Sequence, residues 1–127
     1  MLVIDASALV EALLVAGQAR ARLARDNLQA PELIDAELLS ALRRLVLADK
    51  LQDGHALQAL VTANRLGLRR YASRSRGPRA WELRTTLSAY DALYVALAEQ
   101  LHAPLLTADA RLARAPGLRC PVEVLEA

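Results

Sequence analysis

Four carboxylates stand where a solvated surface charge is not expected: Asp5, Glu37, Asp91 and Asp109. Asp5 ends the apolar run Leu2, Val3, Ile4 and is followed by the small residues Ala6 and Ser7. Asp109 stands two residues beyond the segment Pro104-Leu105-Leu106-Thr107. Glu37 lies beside Ile34, Leu38 and Ala41 in a helical pattern, and Asp91 lies near the start of another that carries Tyr94, Val95 and Ala98. Ionised carboxylates gathered in a partly buried site repel one another unless a cation neutralises them. With oxygen as the donor, that cation would be hard and divalent, Mg²⁺ or Mn²⁺. Each acid also has a structural reading. Asp109 suits the N-cap of a short helix from Ala110, Asp91 completes the capping-box-like Ser88-Ala89-Tyr90-Asp91, Glu37 suits a solvated helix face, and Asp5 suits a bond to the helix that follows it. Asp35, Asp49, Asp53 and Glu99 read as surface or capping residues.

Other chemistries find little support. Cys120 is the single cysteine, next to Pro121 and without a soft neighbour, so it reads as an inert thiol. His55 and His102 are equally isolated. A chain of 127 residues fits one domain, residues 1–127, with a single core. Its 54% hydrophobic content without any Phe predicts a helix-rich, closely packed interior. No apolar run reaches the roughly 18 residues of a membrane span, and the N-terminus lacks a signal-peptide pattern; a cytoplasmic protein is expected. Of the 16 basic residues only Lys50 is lysine. An arginine-dominated surface suits phosphate and nucleic acid, although GC-rich coding gives the same bias.

The elements that must position the acids follow from periodicity. Leu2 to Ile4 reads as a buried strand, and Ser7 as the cap of a helix running to about Val15. A helix from about Gln18 to Arg25 turns Arg20, Arg22 and Arg25 outward. Leu28 to Ala30 suits a second strand, with Pro31 in the first turn of a long helix, about Glu32 to Leu51. After Asp53-Gly54, a helix of about His55 to Arg65 is followed by a strand over Leu68 to Ala72, a loop over Ser73 to Pro78 and a short helix from Pro78 to about Leu87. A helix over Ala89 to Leu101, a strand over Pro104 to Thr107, a short helix from Ala110 and a strand over Val122 to Leu125 complete the chain. Strands separated by helices predict an α/β fold: a three-layer α/β/α arrangement around a central parallel sheet of four to five strands. With the first and fourth strands as neighbours, Asp5 meets Asp109 at the carboxyl edge, where such sheets bind ligands.

Ile4-Asp5-Ala6-Ser7, Asp35-Ala36-Glu37-Leu38-Leu39, Ala89-Tyr90-Asp91-Ala92-Leu93-Tyr94-Val95-Ala96-Leu97-Ala98 and Leu106-Thr107-Ala108-Asp109-Ala110-Arg111-Leu112 resemble the successive motifs of a PIN domain. In detail they are similar to the VapC ribonuclease toxins of type II toxin-antitoxin pairs, over essentially the whole chain. The resemblance implies an endoribonuclease dependent on Mg²⁺ or Mn²⁺, with Asp5, Asp91 and Asp109 as the main metal-binding acids and Glu37 completing the site. Ser7 and Thr107 fall where the family places supporting hydroxyls. It further implies an RNA substrate, a homodimer and a VapB-like antitoxin lying over apolar helix faces: those of the first two helices and the helix after Asp53. Arg69, Arg70, Arg74, Arg76, Arg79 and Arg84 are candidates for the RNA backbone, or else a solvated basic loop.

The alternatives are a PIN-like module without turnover, a PIN nuclease outside a toxin-antitoxin pair, and a DNA-directed nuclease. A phosphatase of the haloacid-dehalogenase type needs a second Asp two residues after the first, where this chain has Ser7. A receiver domain needs an Asp after the third strand, where Arg69, Arg70, Tyr71 and Ala72 stand, and no Gly-rich phosphate loop is present.

Overall fold

In the computed structural model, residues 1–126 are described, and five short strands form one fully parallel sheet. The strands are β1 (Leu2–Ile4), β2 (Leu28–Pro31), β3 (Leu68–Tyr71), β4 (Leu105–Thr107) and β5 (Val122–Val124), in the order β3-β2-β1-β4-β5. β1 is central because each of its residues is fully buried, as a continuous Leu-Val-Ile run requires. The chain winds outward from β1 to β3, then returns to the other side of β1 to lay down β4. The sheet therefore changes direction between β1 and β4, and the crevice lies at their carboxyl ends.

Among the described residues seven α-helices connect the strands: α1 (Ala6–Leu14), α2 (Gln18–Arg25), α3 (Leu33–Leu47), α4 (Asp53–Arg65), α5 (Gly77–Glu82), α6 (Ala89–Leu101) and α7 (Ala110–Ala113). α1 packs against α2, α3 and α4, while α6 lies along β1, β2 and β4 with α5 beside it. The expected α/β architecture with a central parallel sheet is what forms. Among the described residues no helix is long and apolar enough to cross a membrane.

Several local expectations need correction. The cap of α1 is Asp5, whose carboxylate accepts the Ala8 amide at 2.9 Å; Ser7 is already inside the helix and its hydroxyl is used elsewhere. Pro31 is the last residue of β2 and precedes the helix. Strand amides alternate in direction, and Glu32 donates to the Tyr71 carbonyl of β3. The missing amide of Pro31 thus faces the β1 side, where β1 has already turned into α1.

α3 stops at Leu47, short of Leu51, because Asp49 adopts φ 57°. The Asp49 amide then donates to the Val46 carbonyl and the Lys50 amide to the Leu45 carbonyl, a Schellman closure built without glycine. The helix expected to reach Leu87 ends at Glu82, and the preceding loop holds a single tight turn at Arg74–Arg76. Arg20 is exposed, as expected, but its charge is engaged. Its guanidinium turns back to the carbonyls of Ala12 (2.9 Å) and Leu13 (3.2 Å), satisfying the end of α1.

Candidate functional site

The first acid is held by its neighbours. Asp5 is only 6% exposed, at the β1–α1 junction. Its Oδ1 accepts the Ser7 hydroxyl at 2.6 Å and the Ala8 amide at 2.9 Å, and its Oδ2 accepts the Thr107 hydroxyl. Each hydroxyl has one proton, and both point at Asp5. The 3.2 Å contact between Ser7 and Thr107 therefore carries no proton of its own. Both hydroxyls accept amides in return, Ser7 from Ala108 at 2.9 Å and Thr107 from Asp109 at 3.0 Å. This network ties the end of β1 to the end of β4. It fixes Asp5 and the approach to Asp109 as one unit.

Replacing Thr107, which is fully buried, by Val keeps the shape but leaves Asp5 Oδ2 and the Asp109 amide without their partner. Thr107→Val is expected to destabilise the fold by about 1–3 kcal/mol, read as a lower urea midpoint with unchanged m-value.

The remaining acids reach the same crevice from three elements. Glu37 projects from α3, where Oε1 accepts the phenol of Tyr94 at 2.7 Å. Tyr94 is buried on α6, three residues after Asp91, so α6 positions both Asp91 and the group that holds Glu37. That residue was not singled out as a site residue in the sequence. Its spacing from Asp91, one helical turn on the same face, is the signal that could have marked it.

Asp91 sits in the first turn of α6. The Ser88 hydroxyl caps the Asp91 amide at 3.1 Å, as the capping reading expects. Asp109 does cap α7, accepting the Arg111 amide at 2.9 Å, and Arg111 also forks onto both carboxylate oxygens at 3.2 Å. All four acids, with Ser7, line one cavity of about 770 Å³.

Electrostatics separates the four. Burial pushes the Asp5 carboxyl above the usual range despite the hydroxyls and amide that favour its charge, with Asp109 adding repulsion. Burial likewise raises Glu37, helped by the charges of Asp91 and Asp5. Asp91 is raised by burial and then by Asp5 and Asp109. Asp109 alone is lowered, because Arg111 donates to it. Burial is the largest cause in all three, and repulsion from neighbouring carboxylates adds to it.

Among the described residues, no three Asp, Glu, His or Cys side chains are already drawn into a metal cluster. The donor chemistry nevertheless fits a hard divalent cation: every ligand is a carboxylate, and of the roughly four lone-pair positions on Asp5, one on Oδ2 is still open.

The arginine segment is placed differently from its expected role. Arg70 forks onto Asp35 at 2.6 and 2.8 Å, and Arg79 binds Glu99 at 2.7 and 3.1 Å and the Gly117 carbonyl at 2.8 Å. Glu99, expected at the surface, is half-buried and instead ties α6 to α5. Arg69 and Arg76 lie over the Tyr71 ring at 4.9 and 5.3 Å, and Arg84 over Trp81 at 4.7 Å. None of the six lines the acidic cavity; its cation is Arg44, with Arg111 at the Asp109 edge. Cys120 is half-buried, and burial pushes its thiol up to about 11.

Residues 2–118 match the family described as PIN domain. The chain is 47% identical over 125 residues to the VapC ribonuclease Mb0985 of Mycobacterium bovis, covering 98% of each. It is 44% identical to the ribonuclease VapC1 of Mycobacterium tuberculosis over 131 residues, covering 97% of this chain and 96% of the relative. The VapBC2 crystal structure from Rickettsia felis, bound to a promoter DNA fragment, superposes with a TM-score of 0.71 at 15% identity over 97% of each chain, a likeness of fold. The order of the acids, their convergence at the β1–β4 crevice and these similarities give one conclusion: the chain belongs to the PIN domain family and, within it, to the VapC ribonucleases.

Proposed function

We propose that this VapC ribonuclease cleaves RNA phosphodiester bonds at the crevice formed by Asp5, Glu37, Asp91 and Asp109, with Mg²⁺ or Mn²⁺ as cofactor, and serves as the toxin of a cytoplasmic toxin-antitoxin pair. The observation that supports this most is the buried Asp5, clamped by a hydroxyl from α1 and one from β4 and sharing one cavity with three further carboxylates. Helix capping accounts for Asp5 and Asp109, but not for the addition of Glu37 and Asp91 to the same cavity.

Asp5, Asp91 and Asp109 would bind the ion, with Glu37 completing the site. A divalent cation held there supplies acidity to an attacking water and neutralises charge developing on the phosphate. The chain's own residues do the rest. Ser7 and Thr107 orient Asp5, Tyr94 holds Glu37 toward the cavity, and Arg111 donates to Asp109.

The antitoxin is a VapB-like partner docking over the helices. A groove of about 610 Å³ between α1, α2 and α4, lined by Leu13, Leu14, Leu23, Leu51, Ala59 and Leu66, is the apolar surface on which we place it. A second apolar groove of about 310 Å³ between α3 and α4 carries the exposed Leu39, Leu47 and Leu57 and suits the face of a homodimer.

The test is cleavage of a labelled single-stranded RNA by purified protein. Cutting is expected with Mg²⁺ or Mn²⁺, with loss of activity in EDTA and recovery on adding back the metal. Equal cutting in EDTA, or none under any metal, refutes the reading. Expression of the chain alone is expected to arrest growth, and co-expression of the antitoxin to restore it.

A further inference from the structure

None of Arg69, Arg70, Arg74, Arg76, Arg79 and Arg84 lines the acidic cavity or the cleft beside it, so the charges that meet an RNA strand at the acids come from elsewhere. Two clefts meet at the site. The acidic cavity includes Arg44 and Tyr90 in its wall. A neighbouring cleft of about 370 Å³ is lined by Thr86, Ser88, Arg111 and Arg114, and it shares Asp91 and Asp109 with the first. The shared acids therefore have an arginine-bearing cleft on each side. In the wall of the acidic cavity, Tyr90 is 61% exposed although its neighbour Asp91, which both clefts share, is half-buried. The other strongly exposed ring, Trp81, is absent from both linings and is stacked with Arg84.

We propose that a single RNA strand crosses the site over Asp91 and Asp109, with one nucleobase stacked on Tyr90 and its flanking phosphates met by Arg44 in one cleft and by Arg111 and Arg114 in the other. This deepens the ribonuclease reading and rests on it. A polyanion passing over carboxylates is repelled there, so it needs cations on both flanks, and the two clefts supply them. Stacking on a tyrosine tolerates any base and holds the strand without duplex geometry. Arg111 is free to turn to a phosphate, because its side chain is 84% exposed and its pairing with Asp109 is screened by solvent.

Binding, read separately from cutting, tests the path. In the Asp5→Asn background with Mg²⁺ present, fluorescence anisotropy would follow a labelled mixed-sequence RNA of about 12 nucleotides. Tyr90→Ala is expected to weaken binding about tenfold, and Tyr90→Phe to stay within about twofold. Arg44→Ala and Arg114→Ala should each reduce the slope of log K against log salt by about 0.7. Arg65→Ala, at the end of α4 just before β3 and so at the opposite edge of the sheet, should leave that slope unchanged. Binding that ignores Tyr90, or slopes that ignore Arg44 and Arg114, overturns the path. Failure of the ribonuclease reading looks different: the wild-type protein binds RNA with this pattern but does not cut it. No RNA binding by any form refutes both.

Discussion

Asp5→Asn is expected to reduce metal-dependent RNA cleavage by at least about 10³-fold and to leave the fold intact. The size follows from removing one charged ligand from a site whose cation is asked to supply several kcal/mol of transition-state stabilisation, each 1.36 kcal/mol being about tenfold in rate. The fold should persist because the amide is isosteric and its surroundings can satisfy it. Ser7 can still donate to the amide oxygen, and the Thr107 hydroxyl can rotate to accept from the amide nitrogen. Burial already works against the charge of Asp5, so its loss relieves a penalty. Circular dichroism and urea unfolding should therefore match the wild type within about 1 kcal/mol. A folded Asp5→Asn protein that cuts at the wild-type rate would remove Asp5 from the mechanism. So would a variant whose residual activity keeps the same metal dependence.

The second large effect is on stability, and its sign is fixed by the direction of the carboxyl shifts. Asp5, Asp91 and Glu37 titrate above their ordinary values of 3.8, 3.8 and 4.5 in the folded chain. A raised acid binds its proton more tightly folded than unfolded, so its contribution to stability is fully present below the ordinary value and is lost as pH rises through the folded one. The metal-free protein should lose stability as pH climbs past the ordinary carboxylate range, and then level off. Asp109 has the opposite sign, since its lowered value contributes stability above 3.8 that disappears as pH falls. It is half-exposed, so solvent discounts that contribution.

A cation binding the ionised acids reverses the loss. At one hundred times its Kd it should add about 2.7 kcal/mol, a melting-temperature rise of roughly 10 °C for a chain of this size. The rise should be small at pH 4 and full at pH 8. Thermal melts across that range, with Mg²⁺ or Mn²⁺ against EDTA, check it. A metal-induced rise that is equal at both ends of the range would mean that the ion binds elsewhere. In the Asp91→Asn protein the metal effect should shrink, and the melting temperature without metal should rise, because one repelling charge is gone.

These results turn on features of unequal visibility in the sequence. The continuous run at Leu2 to Ile4 is legible because a strand buried on both faces admits no polar alternation, and the structure buries each of those residues completely. Helix α6 is legible because Ser88 provides a cap three residues before Asp91 and the apolar periodicity runs unbroken to Leu101. The partners of the arginines are not legible. Arg70 meets Asp35 across 35 positions, Arg79 meets Glu99 across 20 and Arg22 meets Glu123 across 101. Sequence spacing predicts ion pairs only within a helical turn or two, so a cluster such as Arg69 to Arg84 reads as free charge when much of it is tied into the fold.

Local pattern thus sets the α/β order of elements and picks out the four acids proposed to carry the chemistry, because hydrophobic periodicity and an acid at a strand end are local properties. Only the tertiary structure decided how those acids are held. The Thr107 hydroxyl reaches Asp5 from a strand 102 positions away, and Tyr94 reaches Glu37 across 57. It also decided that Asp5, rather than Ser7, caps α1, because the Ser7 hydroxyl donates to Asp5 and accepts from Ala108, a partner that parallel pairing of β1 with β4 brings alongside. Hydrogen-bond partners are chosen by proximity in space, and proximity in a parallel sheet is set by crossovers whose length a local pattern does not encode.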